Sequence, residues 1–209
     1  MNWLVSTTYG HNYDELASIV TPNHLGYCRK HGYDYNVHHA PFNSKNVYYN
    51  GNINLIYSML PYYDAIMLID LDLIFMDWEI DLDRIFPSKY NQLIAEENLS
   101  PGGSPLNAGV VLFRNSKSSM SLLRAFLDEK PSYENHCQVW QKQICDYVEE
   151  KNELVKEMGV VSSHVMNSRP IQETPPSYKE GDFIVHAYCM NIQDKIDNIN
   201  KFLSKVKYE

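Results

Sequence analysis

The sequence predicts an α/β fold in which a largely parallel sheet is covered by helices. Three observations predict it. The first part of the chain reads as strand, helix, strand within about 40 residues, the unit that builds parallel sheets. Residues 66–75, IMLIDLDLIF, form an apolar run broken only by Asp70 and Asp72, as in a strand covered on both faces. After that run, strand-like and helical periodicities alternate to the last residues.

Trp3 to Thr7 reads as the first strand, followed by a polar loop, Thr8-Tyr9-Gly10-His11-Asn12. A helical pattern follows with Leu16, Ile19, Val20, Tyr27 and Cys28 on one face, interrupted near Pro22 and closed at Gly32. Tyr33 to His38 is the second strand, His39 to Gly51 a turn-rich loop, and Asn54 to Leu60 a short helix closed by Pro61. Asp77 to Phe86 is an acidic-started helix stopped by Pro87; Gln92 to Ala95 and Ala108 to Phe113 are strands. Ser116 caps a helix to about Lys130 with Leu122, Leu123, Phe126 and Leu127 inward. Glu134 to Glu150 is a further helix, with Val139, Ile144 and Val148 inward. Gly159 to Val165 and Phe183 to His186 are late strands around a Pro-rich loop, Arg169 to Tyr178, and Ile192 to Val206 is a terminal amphipathic helix. No repeat or linker divides the chain, so residues 1–209 are expected to form one domain.

A formal charge of −8 with no basic stripe argues against nucleic acid or an anionic membrane as partner. No run approaches a transmembrane length and no signal peptide is visible, so the expectation is a soluble, cytoplasmic protein, or a domain cut from a longer one. Cys28, Cys137, Cys145 and Cys189 have no metal or redox spacing and read as reduced, mostly buried thiols.

Carboxylates are rarely buried without a partner, so Asp70 and Asp72 inside an apolar run need a reason. Two apart in a strand, they would point to one face at its C-terminal end, where a divalent cation relieves their repulsion. The plainer alternative is a strand end whose acids reach water. There is no G-x-G-x-x-G after the first strand, no Walker A loop, no G-x-S-x-G elbow and no H-E-x-x-H. What remains beside the two acids is His186, ending the apolar run FIVH. Two carboxylates and one imidazole suit Mn²⁺, with Mg²⁺ as the alternative.

HGYDY at 31–35, IDLDLIF at 69–75, LNAGVVLFRNS at 106–116 and GDFIVHAYC at 181–189 together resemble the GT-A glycosyltransferases, the nucleotide-diphosphosugar transferase fold. More narrowly they resemble the galactosyl- and xylosyltransferase family of plants and fungi and a small glycosyltransferase domain of chlorella viruses. The resemblance implies a Rossmann-like domain with a mixed, mostly parallel central sheet that moves a sugar from a UDP-sugar to a glycan hydroxyl. It implies that Asp72 and His186 bind the metal, and that Asp70 binds it or the donor's ribose and sugar. Thr7, Thr8 and Tyr9 would hold the uridine, Asn107-Ala108-Gly109 would line the donor-sugar pocket, Gln138 would sit beside the anomeric carbon, and Lys195 would meet the diphosphate. Retention of configuration is implied, with leaving-group phosphate taking the acceptor proton; for an inverting enzyme Glu96, Glu97 or Asp182 would be base candidates. The acceptor would dock over the Ser100–Pro105 and Arg169–Tyr178 loops.

Three positions depart from the family pattern. Asparagines at Asn50 to Asn54 stand where a basic residue is usual, Cys189 stands for a glycine, and Cys137 for an acidic residue. Two other readings compete: a non-catalytic sugar- or nucleotide-binding module of the same fold, and a haloacid-dehalogenase-type phosphohydrolase, which would want a threonine where Ile74 stands. The transferred sugar (glucose, galactose, xylose or rhamnose), the acceptor and the oligomeric state are not written in any motif.

Overall fold

The computed structural model describes residues 1–10, 12–40, 51–97, 104–129, 139–170 and 177–208. Six strands, β1 (Trp3–Tyr9), β2 (Asp34–His39), β3 (Ala65–Ile69), β5 (Gln92–Glu96), β6 (Leu106–Arg114) and β7 (Met158–Val161), form one sheet in the order β2-β1-β3-β6-β5-β7. Only β6 runs against the others, so the sheet is mixed and mostly parallel. A second sheet pairs β4 (Leu73–Phe75) with β8 (Ile184–His186) antiparallel. Among the described residues the α-helices are α1 (Asp14–His31), α2 (Asn54–Met59), α3 (Leu82–Ile85), α4 (Lys117–Asp128), α5 (Val139–Glu149), α6 (Ser163–Met166) and α7 (Ile192–Leu203).

Strand alternation sorts the core into layers. Leu4, Ile66, Leu68, Val111 and Phe113 point to one face, where Leu122, Leu123 and Phe126 of α4 and Trp140, Ile144 and Tyr147 of α5 cover them. Trp3, Val5, Met67, Ile69, Val110 and Leu112 point to the other, toward Tyr27 of α1 and Leu73, Phe75 and Ile184 of the small sheet. The outer side of that small sheet, Ile74 and Val185, is closed by Leu16 and Val20 of α1 and Ile196, Ile199 and Phe202 of α7. The β4–β8 pair is therefore covered on both faces, which is why every residue of the two strands but His186 is apolar.

Several sequence expectations are corrected. The run 66–75 is not one strand: β3 ends at Ile69, and Asp70-Leu71-Asp72 turns the chain into β4 of the other sheet. Carboxylates cannot sit between two apolar layers, so the ladder breaks where they occur. α1 is not interrupted at Pro22. Pro22 and Ser18, whose carbonyl loses its helical partner, both lie on the exposed side, where water can satisfy that carbonyl. Gly32 closes the helix at φ 70°, a conformation glycine adopts without strain. β1 continues through Tyr9, and the helix expected from Asp77 is confined to α3, capped by Asp81 accepting from the Asp83 amide. Val165 belongs to α6 rather than to a strand, because Ser162 caps a new helix there. On α5 it is Trp140, Ile144 and Tyr147 that face the core, while Val148 is exposed. Cys28 is buried, Cys145 half-buried and Cys189 exposed, all as free thiols; Cys137 lies outside the described residues.

Candidate functional site

Two register relations assemble the site. β3 pairs with β6 so that Ile69 faces Val110, and the Asp70 amide then donates to the Gly109 carbonyl at 2.7 Å. β4 pairs with β8 so that Leu73 faces His186, and the Ala187 amide donates to the Asp72 carbonyl at 2.8 Å. Asp70, Asp72, Gly109 and His186 thus meet at the C-terminal end of β3, where open α/β sheets place their ligands. His186 Nε2 lies 3.2 Å from Asp72 Oδ1 and 3.7 Å from Asp70 Oδ2. One ligand atom from each of the three residues falls within 4.8 Å of the others.

The imidazole is held from behind. His186 Nδ1 is 2.9 Å from Asn167 Oδ1, which can accept from it, and Nε2 is the ring atom left facing the two carboxylates. Gly109 makes this possible: a Cβ there would stand 2.1 Å from His186 Cε1. Asn107 Oδ1 accepts from the Gly109 amide at 2.8 Å, fixing the same stretch of β6.

Burial and the Asp72 charge raise the Asp70 carboxyl above its ordinary range, against the pull of His186 and Lys195. Burial alone would raise Asp72 too, but His186 and the Lys195 ammonium outweigh it and hold Asp72 well below the carboxylate range. Lys195 Nζ, from α7, sits 2.6 Å from Asp72 Oδ2. Two carboxylates and an oriented imidazole make a donor set that fits a divalent cation such as Mn²⁺ or Mg²⁺, and the ammonium already drawn to Asp72 shows that the cluster attracts positive charge.

The other expected residues are placed as follows. Thr7 pairs with Ile69 across the parallel β1–β3 ladder, so Thr8 and Tyr9 end β1 beside Asp70. Thr7 is buried with an unbonded hydroxyl, Thr8 donates to the Gly51 carbonyl at 3.2 Å, and the Tyr9 ring lies 5.0 Å from that of His39. Asn107, Ala108 and Gly109 line β6 at the cluster. Gln138 lies outside the described residues, as do residues 100–103 and 171–176 of the two expected acceptor loops. Asp182 is engaged elsewhere: its carboxylate accepts from Ser168 at 2.5 Å and from the Lys179 amide at 2.8 Å, with His164 Nδ1 at 3.0 Å.

Gln141 and Arg169 escape sequence reasoning, and Glu97, expected only as a base candidate for an inverting enzyme, is held by hydrogen bonds. Gln141, on the first turn of α5, accepts from the Ala108 amide at 2.9 Å and donates to Glu97 at 3.3 Å. Glu97 also accepts from Asn107 at 3.4 Å. Burial pushes its carboxyl up, against Asn107, His186, Gln141 and Arg169. The Arg169 guanidinium lies 4.8 Å over the Tyr188 ring, whose centre is 4.9 Å from that of His186. Cys189 has φ 58°, keeping the backbone shape for which glycine is usual although it is not glycine. The one available signal was Gln141, three residues after Gln138 on the same predicted helix.

Comparison with known proteins bears on the fold that carries this site. A glycosyltransferase involved in the glycosylation of the major capsid of PBCV-1 superposes with a TM-score of 0.77 at 12% identity, over 98% of this chain and 100% of that one. The glycosyltransferase GlyE of Streptococcus pneumoniae TIGR4 gives 0.56 at 14% identity, over 98% of this chain and 64% of its own. The galactosyltransferase LgtC, solved in complex with donor and acceptor sugar analogs, gives 0.52 at 13% identity, over 98% and 96%. No curated protein matches significantly by sequence. Among the described residues no helix is long and apolar enough to cross a membrane. The chain therefore has the GT-A glycosyltransferase fold, and its residues 100–195 match the model of the galactosyl transferase GMA12/MNN10 family.

Proposed function

We propose that the chain, acting as one catalytic domain over residues 1–209 and in the cytoplasm, is a metal-dependent glycosyltransferase that moves a sugar from a UDP-sugar to a glycan hydroxyl with retention of configuration. One observation carries the reading. Asp70, Asp72 and His186 offer ligand atoms within 4.8 Å of one another at the end of β3, in a fold shared with glycosyltransferases.

Asp70, Asp72 and His186 Nε2 would hold the cation, Mn²⁺ for preference. Bound there, such a cation neutralises charge developing on a departing diphosphate. Lys195 supplies a second positive charge from α7 for the same phosphates, exchanging its contact with Asp72 for one with the nucleotide. Thr7, Thr8 and Tyr9 receive the uridine at the end of β1. Asn107 to Gly109 border the transferred sugar, with Gln138 toward its anomeric carbon. The apolar layers on both sides of β4 and β8 keep the floor of the site dry, which strengthens each charge interaction and limits hydrolysis. Retention by a front-face route needs no strong protein base, because the leaving phosphate takes the acceptor proton.

The test is titration of UDP and UDP-sugars in the presence and absence of Mn²⁺, followed by a transfer assay with product anomers read by NMR. Binding and transfer should require the metal and vanish in Asp72→Ala. Metal-independent turnover rejects the role given to the cation, no nucleotide binding at all rejects the enzyme reading, and an inverted product rejects retention.

A further inference from the structure

Buried polar atoms without partners are few in folded proteins because each carries a desolvation cost. Glu97 Oε1 and Arg169 Nε are two of them, next to the cation cluster, where Asn167 Nδ2 and the Tyr188 hydroxyl are also without partners. Glu97 is 5% exposed: its Oε2 accepts from Asn107 and Gln141, yet its Oε1 is buried with no partner. Arg169 is 7% exposed, with a buried, unbonded Nε and no carboxylate within 4.0 Å among the described residues. The two charges act on each other and on the Tyr188 and Cys189 side chains, and Lys195 and Asp72 act on the same thiol. All therefore belong to one neighbourhood. A carboxylate and a guanidinium this buried would close into an ion pair if packing alone decided their places. They remain apart, with one acceptor and one donor left over, which fits a neutral ligand that supplies a donor and an acceptor together.

We propose that Glu97 and Arg169 bracket two neighbouring hydroxyls of the transferred sugar and select a neutral, hydroxyl-bearing sugar over an acidic one. The inference rests on the sugar-transfer reading and adds to it the groups that choose the sugar. A hydroxyl gives its proton to Glu97 Oε1 and a second accepts from Arg169 Nε, satisfying both orphan atoms at once. Depth in the core favours the transferred sugar over the acceptor, since Glu97 is tied through Asn107 to Gly109 at the foot of His186. Charge sets the class. Glu97 and Arg169 balance each other, as Lys195 offsets Asp72, so a neutral sugar leaves the pair's net charge at zero, whereas a sugar carboxylate beside Glu97 would add like charge in a low-dielectric site.

The experiment compares the full chain with Glu97→Gln and Arg169→Met, using isothermal titration of UDP, UDP-glucose, UDP-galactose, UDP-xylose and UDP-glucuronate in the presence of Mn²⁺. For the best-bound neutral donor, the ratio of its affinity to that of UDP should fall about tenfold in each variant, with UDP itself changed less than about threefold. Glu97→Gln should also narrow the gap between UDP-glucose and UDP-glucuronate. Unliganded Glu97→Gln should melt no lower than the unaltered chain, since Oε1 bonds nothing in the free protein, while Arg169→Met gives up its contact with the Tyr188 ring and is compared where it is folded; if Glu97→Gln does not fold, Glu97→Asp gives the same readout. An unchanged sugar increment in both variants, or equal losses for UDP and UDP-sugar, overturns the pair and leaves the transferase reading intact. Failure of the unaltered chain to bind any of these nucleotides overturns both.

Discussion

Gly109→Ala tests the contact on which the proposed metal site depends. The added Cβ would stand 2.1 Å from His186 Cε1, and 2.9 Å from both His186 Nδ1 and Asn107 Oδ1. Ordinary contact begins near 3.4 Å, so the ring must retreat by about 1.3 Å. It has little freedom to do so: His186 is 1% exposed, its Nδ1 is held by Asn167, and its backbone is paired to Leu73. Overpacking of this kind costs about 1–3 kcal/mol, so the variant should fold with a lowered denaturation midpoint. The shifted Nε2 no longer meets Asp70 and Asp72 at one point, and Mn²⁺ affinity should fall about 10- to 100-fold, the usual effect of disturbing a ligand's support. Calorimetric titration of Mn²⁺ into the folded variant gives the answer. Wild-type affinity at full folding would refute the claim that Gly109 is there to admit the imidazole.

Three further outcomes follow from the same structure. Lys195→Met should strengthen Mn²⁺ binding to the nucleotide-free protein about tenfold, because the ammonium now on Asp72 competes with the cation, while UDP binding weakens; weaker Mn²⁺ binding would contradict the competition. His24 is fully buried with Nε2 2.8 Å from the Leu73 carbonyl, and burial lowers its pKa to about 4 despite that contact. The unfolded chain protonates this residue near 6.5, so stability is flat above that pH and falls by about 3 kcal/mol as pH drops from 6.5 to 4. Denaturant titrations across that window should show the slope in wild type and lose much of it in His24→Gln; an identical slope in both removes His24 as its source. Asn23 accepts from the Phe75 amide at 2.8 Å and donates to the Phe75 carbonyl at 3.0 Å, both buried. Asn23→Ala strands the Phe75 amide and leaves the carbonyl only Trp78 Nε1, which donates to it at 3.2 Å, so it should cost about 1–3 kcal/mol, and a loss below about 1 kcal/mol would show that water replaces it.

Local patterns carried much of this fold. The apolar alternation of β1, β3 and β6, the left-handed close at Gly32 and the cap at Ser116, which accepts from the Ser119 amide, each follow from a few adjacent residues. The expected acids and histidine do meet in space. Expectation failed where a local rule competed with a distant partner. Pro22 reads as a helix breaker until its exposed position is known, and Val165 reads as strand until Ser162 is seen capping a helix.

By itself, the sequence determined that a mostly parallel α/β sheet would form and that Asp70, Asp72 and His186 were its unusual polar residues, because periodicity and the cost of burying charge are written in neighbouring positions. Only the tertiary structure decided that Asp70-Leu71-Asp72 leaves one sheet for another and that His186 arrives from 114 residues away to face Asp72. It alone brought Glu97, Gln141 and Arg169 beside them. Those meetings depend on strand register and on layers closing over β4 and β8, and complementarity between segments far apart in the chain leaves no mark in either segment alone.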